Sequence, residues 1–150
     1  MKDNSLSSLE ALEKEPLDRL RLARRAAEWI ADVGNYRWVG LYEVTSTEIG
    51  MIACTGETPP AFPRFSLDRG LCGAAVAAKA IVNVGDVRTD SRWLTTFGST
   101  RSEIIVPVLE SARGRPIGLI DVESDAWNAF SPDDEHFLSA CAGRLPLLFR

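Results

Sequence analysis

The chain has no long apolar run. Nowhere in its 150 residues is there a stretch of the roughly 20 apolar side chains that cross a bilayer as a helix, and the opening MKDNSLSSLE lacks the apolar core of a secretory signal. A membrane is not expected as a partner, and a cytoplasmic location is. Cysteine is scarce: Cys54, Cys72 and Cys141 are odd in number and widely spaced, which excludes a secreted disulfide framework and points to reduced thiols. Histidine is scarcer still. With His136 alone and no paired cysteines, no metal site is expected, since zinc usually takes three or four such ligands. Positive charge is not in excess either. The 17 basic residues face 21 acidic ones, and Arg19, Arg21, Arg24 and Arg25 read as the solvated face of one helix, so a nucleic-acid surface is not expected. No GxxxxGK[ST] or G-x-G-x-x-G turn occurs to cradle a phosphate, and no cofactor is expected. A Ser-His-Asp hydrolase would have to use His136, which reads as solvated behind Asp133, Asp134 and Glu135.

What is present suits one globular unit. Hydrophobic residues at 45% and charged ones at 25% are ordinary for a folded domain of this length. Residues 1–34 read as an N-terminal helical segment broken at Pro16, with Leu17, Leu20, Ala23, Ala27 and Ile30 as its apolar stripe and Gly34 as its C-cap. Residues 35–150 read as the main domain. Two strands follow, YRWVGLYEV and TEIGMIACTG, with Tyr36, Trp38, Gly40 and Tyr42 expected on one face of the first and Val39 and Leu41 on the other. The proline-rich ETPPAFPRFSLD reads as loop, LCGAAVAAKA as helix and AIVNVG as a short strand. DVRTDSRWLTTFGSTR (86–101) has no period and the length of a covering loop. EIIVPVLE and PIGLIDVES form a hairpin across SARGR, and Ser131 with Pro132 starts a last helix. Short connections between adjacent strands predict an α+β fold: a central antiparallel sheet with helices packed on it.

Cys72 is the first candidate for chemistry. At a helix start the free N–H groups and the dipole favour thiolate, yet a thiol flanked by Gly73, Ala74 and Ala75 suits plain packing as well. Cys141, with Leu138 and Leu145, reads as core, and Cys54 as a packed strand residue. The carboxylates say more. Asp121 and Glu123 lie two apart in an otherwise apolar strand, so they share a face, and Glu103 opens the partner strand. Two same-face acids need water or a cation. They mark either a solvent-facing edge strand or a small acidic pocket for an ammonium group, with Trp38 and Tyr42 beside it and Trp93 on the covering loop.

RWVGLYEV, RGLCGAAVA, SEIIVPV, GLIDVES and FSPDDEHFL, in that order, resemble the GAF domain, and within it the free methionine-R-sulfoxide reductase family. The resemblance implies a pocket under the loops of a GAF-like sheet, often in a homodimer. It also implies a ligand-binding set at Trp38, Tyr42, Glu103, Asp121 and Glu123, where Glu123 stands for a second aspartate. Such reductases typically carry two further cysteines, about ten residues before the R-G-x-C-G cysteine and about six before SEI. Here those positions are Phe62 and Thr96. The expected chemistry is thiolate attack on the sulfoxide sulfur, then a disulfide that thioredoxin reduces, and threonine cannot take the first step. The leading expectation is therefore a stand-alone GAF domain that binds a small amine-bearing molecule and lacks the usual catalytic cysteine. One alternative is an active reductase using Cys72, with thioredoxin as partner. Another is a signalling or dimerisation module.

Overall fold

The computed structural model describes residues 6–12 and 18–150. Its elements are α1 (Leu6–Leu12), α2 (Arg19–Gly34), β1 (Trp38–Val44), β2 (Glu48–Cys54), β3 (Arg64–Ser66), α3 (Gly70–Ala78), β4 (Val82–Val84), β5 (Ser102–Leu109), β6 (Pro116–Ser124) and α4 (Pro132–Ala142). The strands make one six-stranded sheet in the order β3-β2-β1-β6-β5-β4, and every pairing is antiparallel. The α+β architecture expected from the short connections is the one observed.

Strand alternation sorts the side chains into two layers. Val39, Leu41, Ile104, Val106, Ile120 and Val122 pack with α1, α2 and α4 in the larger core. Trp38, Tyr42, Ile105 and Leu119 point to the other face, against Leu71, Cys72 and Ala75 of α3 and against Val87 and Trp93 of the 86–101 connection. A short 3-10 turn, Val87–Thr89, interrupts that connection. Cys141 and Cys54 are buried as expected, Cys141 with Leu138 and Leu145 in the larger core. Among the described residues no helix is long and apolar enough to cross a membrane.

Several expectations are corrected. Leu20 is 61% exposed. The buried face of α2 is Ala23, Ala26, Ala27, Ile30 and Ala31, and the exposed Arg19 beside Leu20 reaches along the surface to the Leu148 carbonyl at 3.0 Å and Glu43 at 2.7 Å. Leu17 and the Pro16 break lie outside the described residues. The left-handed cap of α2 is Asn35 (φ 56°), one residue beyond Gly34; asparagine tolerates that conformation better than most side chains. Tyr36 does not share the face of Trp38, because β1 begins after it. It packs on Phe130 and Phe137, and its hydroxyl donates to Asp134 at 2.8 Å. The proline-rich loop yields a three-residue edge strand, β3, paired to β2 after its last proline, where a missing N–H is tolerated.

Candidate functional site

The register of the three central strands builds the site. Glu123 pairs with Trp38 on β1 and with Glu103 on β5, while Asp121 pairs with Gly40 and Ile105. All three acids therefore sit on the α3 face of the sheet's centre. The water-facing alternative is overturned, since β6 lies between β1 and β5 and Glu103, Asp121 and Glu123 are 2–3% exposed.

Gly40 gives Trp38 its position. A Cβ there would lie 2.5 Å from Trp38 Cη2 and 3.0 Å from Tyr42 Cε2, so the indole lies across the glycine beside Asp121. Phe97 of the 86–101 connection meets this indole edge-on, with ring centroids 5.3 Å apart. Tyr42 is buried two positions further along the same face, against Phe65.

Cys72 enters from α3, in the first turn of the helix, and is buried. Its sulfur and one carboxyl oxygen each from Glu103 and Asp121 lie within 4.8 Å of one another. The helix-start argument for thiolate is outweighed here: burial, and then the charges of Asp121, Glu103 and Glu123, push the Cys72 thiol well up. The carboxyls are themselves pushed up, first by burial. Glu103 is next raised by Glu123, and Asp121 by Glu103 and Glu123. Glu123 is raised less, because Thr96, Thr100 and Arg37 favour its charged form. The Thr100 hydroxyl donates to Glu123 Oε2 at 2.7 Å. Burial first, then Asp121 and Cys72, raise the Tyr42 hydroxyl.

Among the described residues, five buried polar atoms on this face have no hydrogen-bond partner: Trp38 Nε1, Trp93 Nε1, Glu103 Oε2, Asp121 Oδ1 and Glu123 Oε1. Asp121, in its protonated form, and then the Trp93 indole lie close enough to Glu103 to favour its charge, and the Trp38 indole does the same for Cys54, without either indole making a bond of good geometry. Buried polar groups left in this way are few in folded proteins.

Two spaces flank the cluster. An inner chamber of about 20 Å³ is lined by Tyr42, Cys72, Glu103 and Asp121 and closed by Phe62, Leu94 and Thr96. It has room for about one water. An outer pocket of about 270 Å³ lies over Arg37, Trp38, Phe97, Thr100 and Glu123. Phe62 and Thr96, where the resemblance leads one to look for cysteines, thus both face the chamber that holds Cys72. All six candidate binding residues and Cys72 come together on one face. Sequence reasoning missed Thr100 and Phe97; nothing in their local pattern marks them, because both sit in the irregular connection before β5.

A GAF domain family model matches residues 18–145. The chain is similar to GAF domain-containing protein A of Dictyostelium discoideum, at 33% identity over 105 residues, covering 70% of this chain and 65% of that protein. The matched part is thus just under two thirds of that relative's length. A type II free methionine-R-sulfoxide reductase from Thermoplasma acidophilum has a similar structure, with a TM-score of 0.79 at 36% identity, covering 88% of this chain and 95% of the other. So does the free methionine-R-sulfoxide reductase of Neisseria meningitidis, solved with its substrate: TM-score 0.85, 28% identity, 99% of this chain and 87% of the other. The family match over most of the chain, on a sheet of this topology, means that the protein belongs to the GAF domain family, with free methionine-R-sulfoxide reductases among its relatives.

Proposed function

We propose that this GAF domain binds a small, amino-acid-like ligand through its ammonium group, and that it does not run the usual thiol relay of its reductase relatives. The observation that carries the reading is the set of five partnerless buried atoms. Three are carboxyl oxygens and two are indole N–H groups, so one face offers acceptors for an ammonium and donors for a ligand oxygen. Hydrogen bonds to a charged group contribute about 1.5–3 kcal/mol each. Phe62 and Thr96 in place of cysteines support the loss of the relay. The chamber's small volume requires Leu94 to Thr96, which close it, to move aside for a ligand.

Calorimetric titration with free L-methionine-R-sulfoxide and its N-acetyl derivative tests this reading. Free ligand is expected to bind at least about tenfold more tightly, or about 1.4 kcal/mol. Equal binding of the two overturns the ammonium site.

The closeness of Cys72 to two carboxyls favours a second reading, reduction at Cys72. The thiol attacks the sulfoxide sulfur and a carboxyl protonates the oxygen, which leaves as water; water then attacks the Cys72 sulfur of the resulting sulfonium, breaking the sulfur–sulfur bond to give methionine and a Cys72 sulfenic acid and returning the proton to the carboxyl. A second thiol then forms a disulfide with loss of water, and thioredoxin reduces it. The raised thiol opposes the first step. Single turnover of fully reduced protein decides: methionine formed with matching thiol loss, and abolished in Cys72→Ser, establishes reduction, whereas no methionine from folded protein leaves the binding reading.

A further inference from the structure

We propose that Cys72, Glu103 and Asp121 form a site for a zinc-class divalent cation. The residues come from the first turn of α3, the start of β5 and the middle of β6, so their sequence spacing carries no metal signature. The fold brings one donor atom of each within 4.8 Å of the others.

A second observation points into the same space. Glu103 Oε2 and Asp121 Oδ1 are buried without a hydrogen-bond partner, and both side chains line the 20 Å³ chamber with Cys72, a volume for one small occupant. Zinc takes sulfur at about 2.3 Å and carboxylate oxygen at about 2.0 Å, which sets these tetrahedral ligands about 3.3–3.5 Å apart. Side-chain movements of about an ångström therefore close the site. The donors also select the ion. One soft sulfur and two carboxylates suit zinc or cobalt, whereas magnesium and calcium demand six or more oxygens. Three protein ligands leave a fourth position for water or an incoming donor. Binding releases the thiol proton and any proton held between the two carboxyls. This inference does not rest on the ammonium reading. Ion and ammonium compete for the same oxygens.

The test is titration of the full chain, freed of metal by chelation and kept reduced with a phosphine, using Co²⁺ alone. The expected result is one cobalt per chain with a thiolate-to-cobalt charge-transfer band in the near ultraviolet, lost on adding Zn²⁺ and unchanged by Mg²⁺. The band should vanish in Cys72→Ser and persist in Cys54→Ser. Glu103→Gln and Asp121→Asn should weaken binding at least about tenfold, since even outer-shell losses cost that much. No band, or a band that survives Cys72→Ser, overturns the proposal. Should Cys72→Ser not fold, Glu103→Gln decides, because cobalt binding at full strength in that variant overturns the site. Amine titration in the presence of chelator reads the ammonium site alone, so the two fail separately.

Discussion

At the scale of single residues, three carboxyls on one dry face hold protons above their ordinary range, and this makes stability depend on pH. Glu103, Asp121 and Glu123 are all raised on folding, chiefly by burial. The folded state therefore binds more protons than the unfolded one between the ordinary carboxyl range and the raised values, and stability falls as pH rises through that window. The cluster's contribution is fully present below the ordinary carboxyl range. Asp121→Asn removes one buried ionisable group and its repulsion with Glu103 and Glu123, so it should raise Tm at neutral pH and flatten the pH profile. One unit of relieved shift is about 1.4 kcal/mol, or about 3–6 °C for a chain of this size. Melts across the acid-to-neutral range check this; a variant whose profile parallels the parent's contradicts it. Gly40 is the complementary case. Gly40→Ala drives a methyl into the Trp38 ring and should cost about 1–3 kcal/mol, together with a change in near-ultraviolet dichroism as the indole leaves its place.

At the scale of elements, α4 shows the clearest local instruction. Ser131 Oγ accepts from the Asp134 N–H, and Asp134 returns the bond to the Ser131 N–H at 2.9 Å, with Pro132 at the first helical position. Ser131→Ala should cost about 1 kcal/mol, measured by denaturant midpoint with an unchanged slope. That helix start was legible in the sequence because a cap is a contact between near neighbours. The shared face of Asp121 and Glu123 was legible for the same reason, as a strand repeats every two residues. Less legible were features set by distant partners. Arg19 finds Glu43 and the Leu148 carbonyl on elements far along the chain, and β3 exists because β2 offers it an edge. Whether the acids met water or the interior depended on β1 covering β6, which no local pattern states. Cys72 could be placed at a helix start, but the field of three acids that opposes its ionisation belongs to two other strands.

At the scale of the whole molecule, the centre of the sheet is the pair β1 and β6, joined from Trp38↔Glu123 to Glu43↔Gly118. Neither central strand is closed by its sequence neighbour alone. A fragment ending at residue 115 lacks β6 and should give no cooperative melt, whereas the full chain melts as one unit. Partial protease resistance with a sharp transition in that fragment would contradict this. The same pairing bears on how the protein is made. Most of the strands leave the ribosome before the one that completes the middle of the sheet, so β1 and β5 wait with open edges while about 75 residues separate the first from its partner, a slow, non-local closure. Until then those edges are the surfaces most exposed to pairing with another nascent chain. Aggregation during synthesis should therefore track the delay before β6 appears rather than the stability of the finished fold.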